Sequence, residues 1–223
     1  MLRTGPIGPG TEVTPGEFVD RARPAKQGPW VEICMITTPD GATSKEGKSS
    51  PLGGPADQAM LKAWRSVCGV IMVGAGTVRA EGYGVPSRAD LRVAVVTKSC
   101  NVDAGLPIFT SGRGFLLTTT DAPQTSVETL RCGTGEVDLH GAVTELGQTY
   151  PGGPIHVEGG PALNAALLRD DLVDAINLTF SHRLAGPHSG DPIATSFVPS
   201  RRFEIADAAT QDGFVFVRYE RVR

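Results

Sequence analysis

Apolar positions along the chain switch repeatedly between two periods. Val31 to Thr37 reads as a strand, which Pro39-Asp40-Gly41 ends with turn chemistry. Pro55 suits the first position of a helix, and Ala56, Ala59, Met60, Ala63, Trp64 and Val67 follow at helical spacing, so one stripe of that helix is buried. Gly69 to Val73, Arg92 to Thr97, Gly114 to Thr118 and Pro154 to Val157 are short continuous apolar runs, the pattern of strands covered on both faces. Between the last two, Val143, Leu146 and Tyr150 keep helical spacing until Pro151-Gly152-Gly153 stops it, and Pro161 to Leu168 predicts a further helix. Val173 to Phe180 predicts a strand. After a Gly/Pro/His loop from Ser181 to Pro199, Arg202 to Ala206 and Phe214 to Val222 predict two strands joined through Asp212-Gly213. Strands alternating with helices and ending in an antiparallel pair give an α/β domain with a mixed sheet. Residues 1–29, rich in glycine and proline and without periodicity, are expected to form an extended arm, leaving residues 30–223 as a single domain.

Composition narrows the class. A chain of 223 residues that is 40% hydrophobic and 20% charged has the size and make-up of one globular domain with its own core. A formal net charge of −3 leaves no basic footprint, which argues against nucleic acid or an anionic membrane as partner. No apolar run approaches the roughly 20 residues of a membrane span, and the N-terminus lacks a signal-peptide pattern, so the expected location is cytoplasmic. Cys34, Cys68, Cys100 and Cys132 form no C-x-x-C pair and have no histidine at zinc-ligand spacing, so neither a disulfide framework nor a metal is expected.

Two places share a design suited to phosphate. The run Val70 to Val73 ends in Gly74-Ala75-Gly76-Thr77-Val78, and Ile155 to Val157 ends in Glu158-Gly159-Gly160-Pro161, which opens a helix. Glycines let backbone N–H groups approach a ligand, and a helix start adds partial positive charge. Two such ends on adjacent strands would grip the two phosphates of a dinucleotide at the carboxyl edge of the sheet. The first stretch lacks the third glycine of G-x-G-x-x-G, so it is not a Rossmann fingerprint. The polar loop before Gly54 is longer than most connections, as functional loops are.

In this order and at these separations, Asp40-Gly41, the stretch Gly74 to Glu81, and Val157-Glu158-Gly159-Gly160-Pro161 resemble the reductase domain of riboflavin biosynthesis. That is the pyrimidine reductase family, similar to the C-terminal half of bifunctional deaminase-reductases, and the likeness runs from about Trp30 to the C-terminus. It implies a dihydrofolate-reductase-like α/β/α fold with a mostly parallel mixed sheet, NADPH as hydride donor, and a homodimer. By the resemblance, Ile36 lies against the nicotinamide. Gly74, Ala75, Gly76, Thr77, Val78 and Glu81 hold the cofactor together with Gly159, Gly160, Pro161, Ala162 and Leu163. Thr97-Lys98-Ser99 is either a grip for a 2′-phosphate, which would select NADPH over NADH, or a solvated strand end.

The family's substrate positions map onto Ser49, Arg65, Arg88 and Glu158. Arg65, off the apolar stripe of its helix, would bind a phosphate with Arg88 and Ser49, and Glu158 would accept from ribosyl hydroxyls or the amine. The implied reaction reduces the ribosyl group of 5-amino-6-(5-phosphoribosylamino)uracil to the ribitylamino form, with Asp40, Glu158 or water supplying any proton. Asp40 reads equally as a turn former. The chain departs from the family after Glu81, where Gly82-Tyr83-Gly84-Val85-Pro86-Ser87 precedes Arg88, and at Pro51, where an aromatic is usual. Dihydrofolate or another heterocycle is therefore an alternative substrate, although the sequence singles out no buried carboxylate for a pterin. A non-catalytic NADPH-binding protein is the rival from a different class. Zinc deamination is excluded, because H-x-E with P-C-x-x-C is missing. His156, within an apolar strand, reads as a core or edge residue, and His182 and His188 take no catalytic role.

Overall fold

The computed structural model describes residues 1–223 apart from 7, 24, 25, 187–189, 191 and 196–198. In chain order the elements are β1 (Leu2–Arg3), α1 (Pro15–Val19), β2 (Val31–Thr37), α2 (Pro55–Val67), β3 (Val70–Gly74), α3 (Ala75–Glu81), β4 (Arg92–Val96) and α4 (Pro107–Thr110). They continue with β5 (Gly114–Thr118), β6 (Thr129–Arg131), α5 (Leu139–Thr149), β7 (Ile155–Val157), α6 (Pro161–Arg169), β8 (Ala175–Phe180), β9 (Phe203–Gln211) and β10 (Phe214–Arg221). Among the described residues all ten strands join one sheet, in the order β1-β9-β10-β8-β2-β7-β3-β4-β5-β6. From β8 to β6 every pairing is parallel, whereas β10, β9 and β1 add antiparallel strands at one side.

The unbroken apolar runs follow from burial on both faces. Along β3, Val70 and Met72 enter a core under α5 and α6 with Leu146, Leu163 and Leu167. Ile71 and Val73 enter the opposite core, with Val78 of α3 and Ile108 of α4. Further along that face, α1 and α2 pack Phe18, Met60 and Trp64 over Phe214 and Phe216 of β10. Helices thus cover both faces, giving the three-layer mixed α/β arrangement, and the terminal β9–β10 hairpin pairs as expected. No helix among the described residues is long and apolar enough to cross a membrane.

The first 29 residues depart from the expected extended arm. Leu2 and Arg3 pair with Thr210 and Ala209, which makes β1 a strand of the sheet. Thr14 and Glu17 cap α1 reciprocally, and its Phe18 is buried edge-on to Trp64 with ring centroids 6.3 Å apart. A capping box followed by an apolar pair is enough to start one helical turn, and the side of α2 gives that pair a place to bury. Beyond it, Arg23 reaches Glu32 at 2.6 Å. Strand β9 also runs past the expected Ala206 to Gln211, because Asp207 is buried there against Arg3 at 3.0 Å.

Near the amino ends of the parallel strands, under α2, Glu32 and Arg218 are fully buried and bidentate, at 2.9 and 3.0 Å. Arg23, Asn177 and Glu220 extend the cluster, and the Arg218 guanidinium lies 5.5 Å from the centre of the Trp64 ring.

Candidate active site

Parallel pairing from β8 to β4 puts the carboxyl ends of β8, β2, β7, β3 and β4 along one edge of the sheet. A cleft of about 780 Å³ opens there between the ends of β2, β7 and β3, the loop over residues 43–49, and α2. Concave sites at this edge are the usual ligand position in open α/β sheets.

The two glycine turns meet at its base. The Gly74 N–H donates to the Gly159 carbonyl at 2.7 Å, and the Glu158 N–H donates to Met72 at 2.9 Å. A Cβ added at Gly160 would stand 2.8 Å from Thr77 Oγ1, and one at Gly74 would stand 3.2 Å from the Gly160 nitrogen. The close approach of two strand ends therefore requires both residues to be small. Neither α3 nor α6 receives a side-chain cap from its N-cap glycine, so the first N–H groups of each helix remain available to an acceptor. Gly74, Gly76, Thr77 and Glu81 line the cleft on the α3 side, and Gly160, Pro161, Ala162 and Leu163 line it on the α6 side. This cradle of backbone donors fits a dinucleotide diphosphate. Ala75 and Val78 are buried behind it, in the core under α3, and Gly159 holds the turn with φ +79°.

An apolar wall of Ile36, Met60 and Leu61 faces that cradle, with Ser49 at the rim. The Ser49 backbone N–H donates to Glu81 at 2.6 Å, which ties the loop to α3. At the floor, Glu158 accepts from Arg65 Nε and Nη2, both at 2.6 Å, and from the Tyr83 hydroxyl at 2.5 Å. His156 Nε2 lies 3.3 Å from the same carboxylate, and Arg65 Nη2 also donates to the Tyr83 oxygen at 3.1 Å. Although burial alone would raise the Glu158 carboxyl, the guanidinium and imidazole beside it hold it far below the usual carboxylate range. Glu158 is therefore an anion at neutral pH, not a proton donor. Tyr83 is buried in the core under α3, where burial beside Glu158 pushes its phenol up.

Other expected site residues lie outside the cleft. The Asp40 carboxylate accepts from the backbone N–H groups of Ala185 and Gly186 at 3.2 and 3.0 Å. Hydrogen bonds from Thr38 and those two amides hold it at about 2, so the structure gives it the work of a turn former. Arg88 donates to the carbonyls of Arg65 and Ser66 at 3.1 Å and to Asp90 at 2.9 Å, satisfying the end of α2 instead of facing a ligand. Thr97, Lys98 and Ser99 follow β4, one strand over from Gly74; Thr97 is buried, and the exposed Lys98 pairs with Glu136. His182 packs edge-on to Phe214. His188 lies outside the described residues.

The structure adds a carboxylate that periodicity did not single out. Asp57, in the first turn of α2, lines the cleft and takes a hydrogen bond from Thr179 of β8. Burial raises its carboxyl above the ordinary value. An acidic residue in a first helical turn is common for dipole reasons. Only the distant partner on β8 shows that it faces a site.

The sequence model for the RibD C-terminal domain matches residues 29–206. Among curated proteins, none matches the chain in sequence. Among solved structures, the chain is similar to a pyrimidine reductase-like protein from Corynebacterium diphtheriae (TM-score 0.79, 23% identity, covering 95% of this chain and 100% of that one). It is similar also to the riboflavin biosynthesis reductase of Saccharomyces cerevisiae (0.70, 18%, 90% and 93%). A dihydrofolate reductase from Enterococcus faecalis, solved with NADP(H), shares the fold more distantly (0.56, 15%, 87% and 97%).

Proposed function

Because the chain belongs to the RibD C-terminal domain family, whose model matches most of its length, we propose that it is an NADPH-dependent reductase of a pyrimidine-bearing heterocycle. The observation that carries this is the cleft itself, where two uncapped helix starts and two touching glycine turns face an apolar wall large enough for a nicotinamide and a second ring. NADPH, when bound, supplies the hydride. This chain's residues bind and orient: the turns at Gly74 and Gly160 take the diphosphate through backbone N–H groups, and Ile36 with Met60 and Leu61 excludes water from the reacting faces. Thr97, Lys98 and Ser99, at the same edge of the sheet, are the proposed contact for a 2′-phosphate, with Lys98 leaving Glu136 to make it.

Family membership supports 5-amino-6-(5-phosphoribosylamino)uracil as the substrate. Asp57 favours a second reading, dihydrofolate or another heterocycle with adjacent N–H donors. A carboxylate whose proton affinity is raised by burial, at hydrogen-bond range of a threonine hydroxyl, suits the pairing of such an edge. Loss of NADPH absorbance when each heterocycle is added tests the proposal. A homodimer and a cytoplasmic location are proposed from the family alone.

A further inference from the structure

We propose that Tyr83 is the positioning residue for the substrate's phosphate arm: together with Glu158 it holds the Arg65 guanidinium so that Nη1 alone is presented to an anionic oxygen in the cleft. The proposal rests on the reductase reading and adds a task for the stretch after Glu81, where this chain departs from its family. Among the described residues that line the cleft, Arg65 is the only cation. Arg88, the second guanidinium expected at the phosphate, is turned to the carbonyls of Arg65 and Ser66. The phosphate contact therefore falls to one guanidinium, and its aim decides the affinity. A guanidinium carries five hydrogens. Three are used inside the protein: Nε and one Nη2 hydrogen go to Glu158, both at 2.6 Å, and the other Nη2 hydrogen goes to the Tyr83 oxygen at 3.1 Å. Nη1 keeps both of its hydrogens without a partner among the described residues, and it is not buried.

Tyr83 fixes the direction of that free nitrogen. Glu158 balances the charge of Arg65, so the grip on an anion depends on where the two Nη1 hydrogens point more than on net charge. A fork between two side chains can swing as a unit, and a third group bonded to both members stops it. Tyr83 is that group: its oxygen accepts from Arg65 Nη2, and its hydroxyl donates to Glu158 Oε2 at 2.5 Å. Gly82 ends α3 with φ +61° and lets the chain fold back, with the Tyr83 N–H donating to the Val78 carbonyl at 3.3 Å. The Tyr83 ring is then held in the core under α3 with Cys68, Val78 and Leu91, and the Arg65 guanidinium lies 5.6 Å from its centre. His156 of β7 stands 3.3 Å from Glu158 Oε1, the other carboxylate oxygen. A phenol locked by its packing and bonded at its tip gives the guanidinium plane one orientation. Backbone N–H groups at the other end of the cleft can hold a cofactor diphosphate without any cation, so removing the Tyr83 hydroxyl leaves NADPH binding intact.

The test is isothermal titration of the full chain, with and without NADPH, using ribose 5-phosphate and ribose as probes. The wild type should bind ribose 5-phosphate at least about tenfold more tightly than ribose. Tyr83→Phe keeps the packed ring and removes both hydrogen bonds, so it should weaken ribose 5-phosphate about tenfold while ribose and NADPH stay within about twofold. In turnover of 5-amino-6-(5-phosphoribosylamino)uracil the same variant should raise KM about tenfold and leave kcat within about twofold. Because Tyr83 acts through Arg65, the substitution should add nothing in an Arg65→Gln background, a result that a merely structural role would not give. Tyr83→Phe binding of ribose 5-phosphate as tight as that of the wild type would overturn the proposal. An equal loss in the Arg65→Gln background, or a parallel loss of NADPH affinity, would overturn it too. The reductase reading fails separately, if NADPH is not oxidised with any heterocycle, and the titration needs no turnover.

Discussion

Two carboxylates in one cleft are set to different tasks by their surroundings. Glu158 is buried beside a guanidinium and stays ionised, so it fixes Arg65 and Tyr83 and carries no proton. Asp57 is half-buried with no cation paired to it among the described residues, and burial raises its proton affinity. This is the pattern by which a site separates a structural anion from a group that can share a proton with a substrate. Asp57→Asn should therefore lower kcat/KM for a heterocycle by about 100-fold while leaving NADPH affinity within twofold. Steady-state kinetics and NADPH fluorescence titration measure the two quantities, and an equal loss in both would remove Asp57 from substrate binding. The family resemblance led to Glu158 and Arg65 as individuals but not to their mutual bond, because a strand end and a helix face give no register with each other until the sheet is assembled. Tyr83 was visible only as part of the departure after Glu81. Asp40, Arg88 and Glu158 each had a plausible chemical role by residue type, and their backbone and side-chain partners redirect all three.

At the scale of elements, continuous apolar runs were the most legible feature. Strands β2 and β5 begin and end where the pattern predicts, and α2 starts at its proline. Elements stabilised by polar or distant partners were not. Strand β6, with Thr129, Leu130 and Arg131 all half-buried, has no run to show and exists because β5 offers it an edge. Helix α1 has five residues and would be marginal alone. Its stability comes from Phe18, 1% exposed against Trp64 of α2. Since α2 also carries Asp57 and Arg65, the N-terminal segment braces the site wall from behind. Phe18→Ala should cost about 3–5 kcal/mol in urea unfolding, the range for emptying a buried aromatic site. A cost below about 1 kcal/mol would show that α1 is not part of the folded core.

Across the whole molecule, the parallel sheet concentrates function at one edge and the buried cluster around Glu32 ties the other elements together. Arg218 and Arg23 hold the Glu32 carboxyl at about 2 against an ordinary 4.5, outweighing the burial that would raise it. A carboxyl depressed by folding stabilises the protein fully above its unfolded value, and that contribution is lost as pH falls through the folded one. Unfolding free energies from urea titrations should thus fall between about pH 4.5 and pH 2, by roughly 3 kcal/mol for this group. Glu32→Gln should be destabilised at neutral pH, because the buried Arg218 would keep Glu220 as its one carboxylate partner among the described residues, and should lose most of that acid slope. An unchanged slope in the variant would assign acid sensitivity to other carboxylates.

The central claim is hydride transfer to a heterocycle from a cofactor held by the two glycine turns. Incubating the protein with NADPH deuterated at the transferable C4 position, together with dihydrofolate or the deaminated phosphoribosylaminouracil, and weighing the products tests it most directly. One deuterium gained per product molecule from NADPH, at a rate well above that from similarly labelled NADH, is the predicted result. Tight NADPH binding with no deuterium in either product would contradict it and leave the protein a dinucleotide binder without that chemistry.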